Sequence, residues 1–354
     1  MKIFLVGGFL GSGKTTAIAA ACRLLMARGH RVGVITNDQG EQQVDTLTMT
    51  KLGIPAREVA GGCFCCNYDQ FDAHVRSLEA ENLPQFVFAE SVGTCTDLAA
   101  TIVLPLAKFR PDVDVVICIF ADAAFLASLL EGSATFVEES VRYIYKKQLE
   151  EADLIVINKS DLITEDQKEM IRDLLGEEYS GKSYLFQNST ADSDVEQWLN
   201  QLQTMKAAGL VLDIDYNTYG DGEARMAWLD KRVVIEDNAG KAADAVRKIM
   251  EAIFRRISEE RLLIGHLKFF IDAGNWARKI SFTASSNDFH RFTTDAADRI
   301  ELLINARVQT DPRRLTRIVD DVIENMHATG RSITPGPWSA FVPGFPRPTH
   351  RMAN

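Results

Sequence analysis

The sequence lacks any apolar run close to the roughly 20 residues that a membrane-spanning helix needs. Its first residues also lack the basic segment, long apolar segment and small-residue cleavage site that together mark a signal peptide. Basic side chains are few, with 39 Lys and Arg against 49 Asp and Glu, and the net charge of −10 disfavours binding to phosphate backbones. These absences predict a cytoplasmic protein that binds neither a membrane nor nucleic acid.

Cysteine is scarce, with six among 354 residues, and half of the cysteines are crowded into one C-x-C-C segment. In a chain without a secretion signal such thiols are normally reduced. Cys63, Cys65 and Cys66 therefore suit metal or redox chemistry better than a structural disulfide. The others lie in apolar or mixed segments, and we interpret them as small buried hydrophobic residues: Cys22, Cys95 and Cys118.

Apolar residues make up 46% of the chain, enough for the cores of two domains. Short β-branched runs alternate with helical patterns in the first part, which is typical of βαβ units around a parallel sheet. The candidate strands are residues 2–6, 31–36, 85–89, 114–120, 154–157 and 183–186, and candidate helices begin near residues 14, 69, 96, 138, 165 and 195. The sequence therefore predicts a doubly wound, mostly parallel α/β domain over residues 1–205.

The remaining chain divides by composition. Residues 213–223 are rich in Asp, Asn, Tyr and Gly, and we predict a linker over 206–223. Residues 224–328 predict a smaller α+β C-terminal domain, in which two helices cover one face of an antiparallel sheet. Its candidate strands are 224–235, 262–272, 277–283 and 300–307, and its helices are 241–258 and 311–326. Five prolines after residue 328 predict an extended Pro-rich tail over 329–354.

A complete G-x-x-x-x-G-K-T motif occupies residues 8–15, directly after the first strand and before the first helix. In such a loop, backbone N–H groups and the helix N-terminus hold phosphates. Lys14 would neutralise the β and γ phosphate charges, and the Thr15 hydroxyl would bind Mg²⁺. The sequence therefore predicts a P-loop NTPase domain whose nucleotide contacts are Gly8, Gly11, Ser12, Gly13, Lys14, Thr15 and Thr16.

An N-K-x-D motif at residues 158–161 follows an apolar candidate strand. The Asp161 carboxylate can accept two hydrogen bonds from N1–H and the 2-amino group of guanine. Adenine offers neither group, so it would leave a buried charge unpaired. Asn158 and the Lys159 stem would hold the ring. This motif downstream of a P-loop predicts GTP, and it disfavours the alternative of an ATP-dependent kinase or synthetase.

Carboxylates that could complete a Mg²⁺ site follow the second and third candidate strands. Glu90 ends a strand and precedes Gly93, where P-loop proteins place a carboxylate near Mg²⁺ and a glycine N–H near the γ-phosphate. Asp38 and Glu41 follow the second strand, and either can contact Mg²⁺ or orient the attacking water. The alternative for each is a merely solvated side chain. We predict Lys14, Asp38 and Glu90 as catalytic residues and Thr15, Asp38, Glu41 and Glu90 as metal ligands.

The C-x-C-C segment follows Gly61 and Gly62, which favours an accessible loop. Three thiolates this close, from Cys63, Cys65 and Cys66, can hold Zn²⁺ or another transition metal and leave a fourth position open for transfer. The fourth ligand could come from His74, a carboxylate, water or a second protomer. Inert buried cysteines and a redox pair are the alternatives.

With these motifs the sequence resembles the CobW-type metal-handling GTPases, relatives of the urease and hydrogenase nickel-insertion GTPases. The resemblance covers residues 2–163 and rests on the P-loop, the residues that begin with Asn37, the G-C-x-C-C segment at 62–66, Glu90 with Gly93, and the N-K-x-D motif. It implies GTP hydrolysis coupled to delivery of a transition metal or metal cofactor to a client metalloprotein or cofactor-assembly protein. It also implies a homodimer that often depends on GTP.

The chain departs from the family's pattern in three places. Asp38 stands where the family usually has Glu, and residues 93–98 read G-T-C-T-D-L in place of G-x-A-D-P. The C-terminal half matches no usual domain of the family, and we interpret its His266 as a structural residue. An alternative function is a nucleotide-gated activator of a corrinoid or other metalloenzyme that carries no metal itself.

Overall fold

The computed structural model describes residues 1–38, 44–134, 137–237, 240–283, 289, 292 and 295–353. These residues form two compact units. The first lies within Met1–Gln39, Asp45–Gly222 and Phe345–Asn354, and the second within Gly40–Val44 and Glu223–Gly344. No helix in these ranges is both long and apolar enough to cross a membrane.

The first unit is built on a sheet of seven described strands that all run parallel. They are β1 (Lys2–Gly7), β2 (Val32–Asp38), β3 (Ala56–Ala60), β4 (Phe86–Glu90), β5 (Asp114–Asp122), β6 (Leu154–Asn158) and β7 (Ser183–Gln187). Their order in the sheet is β3-β2-β4-β1-β5-β6-β7. Because parallel strands end at one edge, the loops after β1, β2, β4 and β6 gather there, where ligands of such sheets bind.

Helices cover this sheet. They are α1 (Lys14–Ala27), α2 (Val44–Lys51), α3 (Tyr68–Asn82), α4 (Leu104–Phe109), α5 (Ala123–Leu130), α6 (Glu139–Glu151), α7 (Glu165–Glu178), α8 (Asp192–Thr204) and α9 (Tyr216–Ala224). A π-helical turn at Ala99–Val103 leads into α4, and a 3₁₀ turn spans Ser160–Leu162. Strand β6, between β5 and β7, is buried along its whole length, as its continuous apolar run requires.

The predicted doubly wound α/β architecture is confirmed, and each of the six candidate strands is present. The sequence pattern missed β3, a short strand at the sheet edge in which only Val59 is fully buried, so its sequence shows no apolar run. It also missed α2 and α5. Only Asp122 separates the apolar sequence of β5 from that of α5, so no periodicity distinguishes the two elements.

The second unit is an antiparallel sheet with helices packed on it. Its elements are β8 (Met226–Glu236), α10 (Ala242–Glu259), β9 (Ile264–Asp272), β10 (Ala277–Phe282), β11 (Arg299–Gln309), α11 (Pro312–His327) and β12 (Ser332–Phe341). The strand order is β10-β9-β11-β8-β12. Buried apolar residues of α10 and α11 share one core with those of the strands, which confirms the predicted α+β arrangement.

Two predictions for the connecting and terminal segments are corrected. The expected Pro-rich tail contains β12, which pairs antiparallel with β8 at the sheet edge and shifts register between Pro335 and Trp338. An edge strand tolerates proline because one row of its N–H groups needs no partner strand. The expected linker over 206–223 contains most of α9, so its turn-rich composition did not prevent a helix.

Candidate functional site

The loop between β1 and α1 carries the predicted phosphate-binding motif. Its glycines Gly8, Gly11 and Gly13 have positive φ values of 121°, 77° and 92°. A Cβ atom at Gly13 would lie 2.3 Å from Nδ2 of Asn158. Both the backbone conformation and the available space therefore require glycine at this position.

Polar side chains of the P-loop point toward its interior. The Lys14 ammonium is buried and contacts the carbonyl oxygen of Gly8 at 2.6 Å. The Thr15 hydroxyl donates to Oε1 of Glu90 over 2.9 Å, and both side chains are buried. The Ser12 hydroxyl is buried and has no hydrogen-bond partner among the described residues. A cation, two hydroxyls and a carboxylate are the groups that a magnesium–phosphate complex requires, so these residues fit that ligand.

Asn158 connects three loops at the carboxyl edge of the sheet. It is the last residue of β6 and is 1% exposed. Its Nδ2 donates to the carbonyl oxygen of Ser12 over 2.7 Å, and its Oδ1 accepts from N and Oγ of Ser189 at 3.2 and 2.7 Å. The side chain therefore fixes the P-loop against the loop after β7. The sequence reasoning missed Ser189.

Lys159 and Asp161 of the N-K-x-D motif follow Asn158 at the end of β6. Lys159 has a left-handed backbone with φ of 59°, and its ammonium pairs with Oδ2 of Asp122 at 2.7 Å. Asp122 also caps α5 by accepting from the N–H of Phe125 over 3.0 Å. The Asp161 side chain is exposed in the 3₁₀ turn, where an incoming base can reach it. Asp122 was not predicted, although a polar residue directly after a buried strand was a usable signal.

The other predicted nucleotide and Mg²⁺ residues are placed as follows. Asp38 is the last residue of β2, but its side chain and the whole of Glu41 lie outside the described part of the chain. Thr16 is exposed on α1. A Cβ at Gly93 would lie 2.6 Å from Cδ2 and 2.9 Å from N of Leu10. The loop after β4 therefore packs against the P-loop so closely that only glycine fits.

The structure brings the three predicted cysteines together in the turn between β3 and α3. The sulfur atoms of Cys63, Cys65 and Cys66 all lie within 4.8 Å of one another. The separations are 2.7 Å for Cys63 and Cys65, 3.2 Å for Cys63 and Cys66, and 3.8 Å for Cys65 and Cys66. His74 is not part of this group among the described residues. The arrangement can bind one thiophilic cation.

Asn37 holds this cysteine turn in place. Its Nδ2 donates to the carbonyl oxygens of Val59 at 3.0 Å and Gly62 at 2.7 Å, and its Oδ1 accepts from the N–H of Phe64 at 2.8 Å. The Phe64 ring is buried and packs against Phe71 of α3, with ring centroids 4.8 Å apart. The turn is therefore anchored to the end of β2 by hydrogen bonds and to α3 by an apolar contact.

Hydrogen bonding within the cluster concentrates negative charge on one sulfur. Thiol contacts from Cys65, Cys66 and Cys95 hold the pKa of Cys63 well below its usual range. Hydrogen bonds to the neighbouring sulfurs, first that of Cys63, together with burial raise the pKa of Cys65. The hydrogen bond to Cys63 raises the pKa of Cys66 to about 11. One thiolate is thus stabilised by its neighbours, and a bound cation would displace the remaining protons.

The C-terminal segment, residues 345–353, lies on the cysteine turn. The N–H and the hydroxyl of Thr349 donate to the carbonyl oxygens of Cys65 at 2.8 Å and Cys66 at 3.0 Å. The N–H of Arg347 donates to the Cys66 sulfur over 3.3 Å. The Arg351 guanidinium pairs with the buried carboxylate of Asp97 at 2.7 Å. These contacts could not be predicted from the sequence, because they join residues more than 250 positions apart.

Comparison with known proteins gives the following matches. The family model described as CobW/HypB/UreG, nucleotide-binding domain, matches residues 2–185. The zinc chaperone CobW of a Sinorhizobium species is 30% identical over 200 residues, covering 50% of this chain and 56% of that protein. The zinc chaperone YeiR of Escherichia coli strain K12 is 28% identical over 173 residues, covering 48% of this chain and 49% of that protein. The chain therefore spans about half the length of the relatives that it matches.

Among solved structures, the Zn(II)-bound triple mutant of the YjiA GTPase is 17% identical with a TM-score of 0.38. That alignment covers 92% of this chain and 98% of that chain.

Proposed function

Because this chain belongs to the CobW/HypB/UreG family of nucleotide-binding proteins, we propose that it is a GTP-hydrolysing metallochaperone. It binds a transition metal, Zn²⁺ first, at the cysteine cluster and passes the metal to a client protein. The observation that carries this proposal is the convergence of the Cys63, Cys65 and Cys66 sulfurs within 4.8 Å of one another. Relatives of the chain are named zinc chaperones, which agrees with the proposed cargo.

The nucleotide is GTP in this proposal. Asn158 is fixed between the P-loop and Ser189, and Lys159 is held by Asp122, so both are oriented before a base arrives. Asp161 would then accept from guanine, and a base without the 2-amino group would leave its charge unpaired. Preorganised groups bind a ligand with less loss of conformational entropy.

Thr15 and Glu90 would hold Mg²⁺, which supplies charge neutralisation for the phosphates when bound. The buried Lys14 ammonium would leave the carbonyl oxygen of Gly8 for the phosphate oxygens. The N–H of Gly93 would face the γ-phosphate, because this residue packs directly against the P-loop. Asp38 and Glu41 remain proposed contacts to Mg²⁺ or the attacking water. Hydrolysis would thus alter the loops after β2 and β4, and release the metal from the cysteine cluster.

The first experiment compares two double variants for metal binding. In the unchanged protein we expect tight Zn²⁺ binding with Mg²⁺ and a non-hydrolysable GTP analogue, and weaker binding with GDP. Cys65→Ala with Cys66→Ala should abolish stoichiometric metal binding, measured by elemental analysis and chelator competition. Cys22→Ala with Cys118→Ala removes the same atoms from buried sites and should leave metal binding unchanged.

Three results would overturn the proposal. Unchanged metal affinity in the Cys65 and Cys66 variant would show that the cluster is not the cargo site. A protein that hydrolyses GTP but takes up no metal in either nucleotide state would instead favour a client activator that carries no metal. A preference for ATP with transfer of phosphate to a small molecule would identify a kinase or synthetase.

A further inference from the structure

The C-terminal segment owes its fit on the cysteine turn to its prolines. Pro346 and Pro348 fix φ near −65° and have no N–H, so they keep the backbone extended and leave Arg347 and Thr349 as the donors beside them. Both of these N–H groups bond to the cysteine turn. The proline-rich sequence that predicted an extended tail therefore also presents the right donors to the cysteine turn.

A second set of bonds fixes the following residues to the loop after β4. Nε of Arg351 lies 2.7 Å from Oδ2 of Asp97, and the N–H of Met352 donates to the carbonyl oxygen of Ala100 over 2.9 Å. Asp97 is 1% exposed, and the Tyr216 hydroxyl donates to the same carboxylate oxygen over 2.7 Å. A buried carboxylate is stable only when it is paired and hydrogen-bonded. The ion pair is therefore a firm attachment of the segment to this loop.

The middle of the segment is held by aromatic packing. The centroid of the His350 ring lies 5.0 Å from that of Tyr68 and 5.4 Å from that of Phe109. Tyr68 begins α3 two residues after Cys66, so this contact also lies beside the cysteine turn. The C-terminal segment is thus attached to the turn, to the first residue of α3 and to the loop after β4.

The two attachments are so close together that they cannot move independently. Thr349 and Arg351 are two residues apart, and two residues of extended chain span at most about 7 Å. A shift of Asp97 must therefore either pull on the cysteine turn or break bonds of the segment. Asp97 itself lies four residues after Gly93, which packs against Leu10 of the P-loop. The contacts form a continuous path from the P-loop to the cysteine turn.

We propose that Arg351 is a positioning residue of the metal site, which ties the cysteine turn to the loop after β4 so that the nucleotide state sets how firmly the metal is held. This inference rests on the proposed function, because it concerns the regulation of the same cargo site. With GTP bound, the loop after β4 would hold the segment on the turn, and the N–H of Arg347 would stabilise the thiolate form of Cys66. After hydrolysis a shift of Asp97 would loosen the segment, and the half-buried Cys66 would become accessible to a client.

The first test measures the zinc affinity of the full chain by chelator competition, with Mg²⁺ and either a non-hydrolysable GTP analogue or GDP. The analogue should give the higher affinity in the unchanged protein. Arg351→Met should lower the affinity with the analogue to the value with GDP, a loss of about 10-fold, which is the lower end of the effect of outer partners of metal ligands. A merely structural role would lower both values alike.

Arg347→Met is the matched control for this test. It removes a guanidinium from the same segment, but the Arg347 side chain is exposed and the N–H that donates to the Cys66 sulfur is retained. Both zinc affinities should therefore stay unchanged in this variant.

The second test needs no metal. The C-terminal segment donates to the Cys66 sulfur, so the alkylation rate of Cys66 by iodoacetamide in the metal-free protein reports how firmly the segment lies on the turn. The rate is measured by mass spectrometry. In the unchanged protein and in Arg347→Met it should be lower with the GTP analogue than with GDP. In Arg351→Met both nucleotides should give the higher rate.

The outcomes separate this inference from the proposed function. If Arg351→Met keeps the nucleotide dependence of zinc affinity and of alkylation, the role of Arg351 is overturned and the proposed function stands. If the unchanged protein takes up no zinc but shows a nucleotide-dependent alkylation that Arg351→Met loses, the proposed cargo is overturned and the link to the turn stands. If Arg351→Met no longer binds GTP because the Asp97 charge is left unpaired, Asp97→Asn with Arg351→Met removes both charges. That double variant must then lose the nucleotide dependence, and its retention would overturn the inference.

Discussion

Replacing Asn37 by alanine should loosen the cysteine turn without removing any metal ligand. The substitution deletes three buried hydrogen bonds, to Val59, Gly62 and Phe64. A buried polar group that loses its partner costs about 1–3 kcal/mol. The Gly62 carbonyl can relax toward solvent in the turn, so we expect a total loss of about 3 kcal/mol rather than the sum of the maxima.

This loss should appear mainly as weaker metal binding. If the turn is disordered in the free variant, binding must reorder it, and about 3 kcal/mol corresponds to roughly a 100-fold lower affinity. Zinc affinity would be measured by competition with a chromophoric chelator, and global stability by urea unfolding. Asn200→Ala is the matched control, because Asn200 is exposed on α8. Zinc affinity within threefold of the unchanged protein, with an unchanged urea midpoint, would refute the reasoning.

Three further changes test other parts of the structure. Asp161→Asn should shift nucleotide preference from GTP toward xanthosine triphosphate, and unchanged GTP affinity in competition assays would contradict the guanine assignment. Burial disfavours the charged form of Glu151 and raises its pKa from 4.5 to about 8. The folded protein therefore keeps this carboxyl group protonated, and the stability that it has below pH 4.5 is lost progressively as the pH rises to about 8. A difference of one in pKa is worth about 1.4 kcal/mol, so Glu151→Gln should raise the free energy of unfolding at pH 8 by at most about 5 kcal/mol. The gain at pH 5 should be much smaller. Thermal unfolding at both pH values measures this, and an equal gain at both would contradict the prediction. Deleting residues 345–353 removes the bonds to Cys65 and Cys66 and should speed zinc loss to a chelator; an unchanged rate would show that this segment does not cover the site.

The predictable part of the site consists of local motifs. The P-loop, the N-K-x-D motif and the C-x-C-C segment each place their chemistry within a few consecutive residues, so spacing alone defines the groups that act together. The alternation of apolar runs and helical patterns likewise predicted the parallel sheet. Each of the three motifs follows a strand of this parallel sheet, so all three lie at the edge where the strands end.

The parts that sequence could not predict are contacts between distant segments. Asn37 and Phe64 are 27 positions apart, and Asn158 and Ser189 are 31 positions apart. Such pairs depend on which strands become neighbours in the sheet, and a local motif contains only one partner of each pair. The contacts of Thr349 with the cysteine turn are the clearest case. A single threonine in a Pro-rich segment has no signature, and only the path of the C-terminal segment brings it to Cys65 and Cys66.

The loop after β4 is better suited than the cysteine turn itself to transmit the state of the nucleotide. The turn is fixed by Asn37 and by the packing of Phe64, so it has little freedom to respond. The loop after β4 contacts the P-loop through Gly93, which packs directly against Leu10. A shift of Leu10 would therefore force the loop after β4 to move. Interiors packed this tightly transmit displacement instead of damping it. Such a movement would reach the cysteine turn through the C-terminal segment. Arg351 of that segment pairs with Asp97 of the loop after β4, and Thr349 donates to the carbonyl oxygens of Cys65 and Cys66. The turn would thus respond to hydrolysis without any large domain motion.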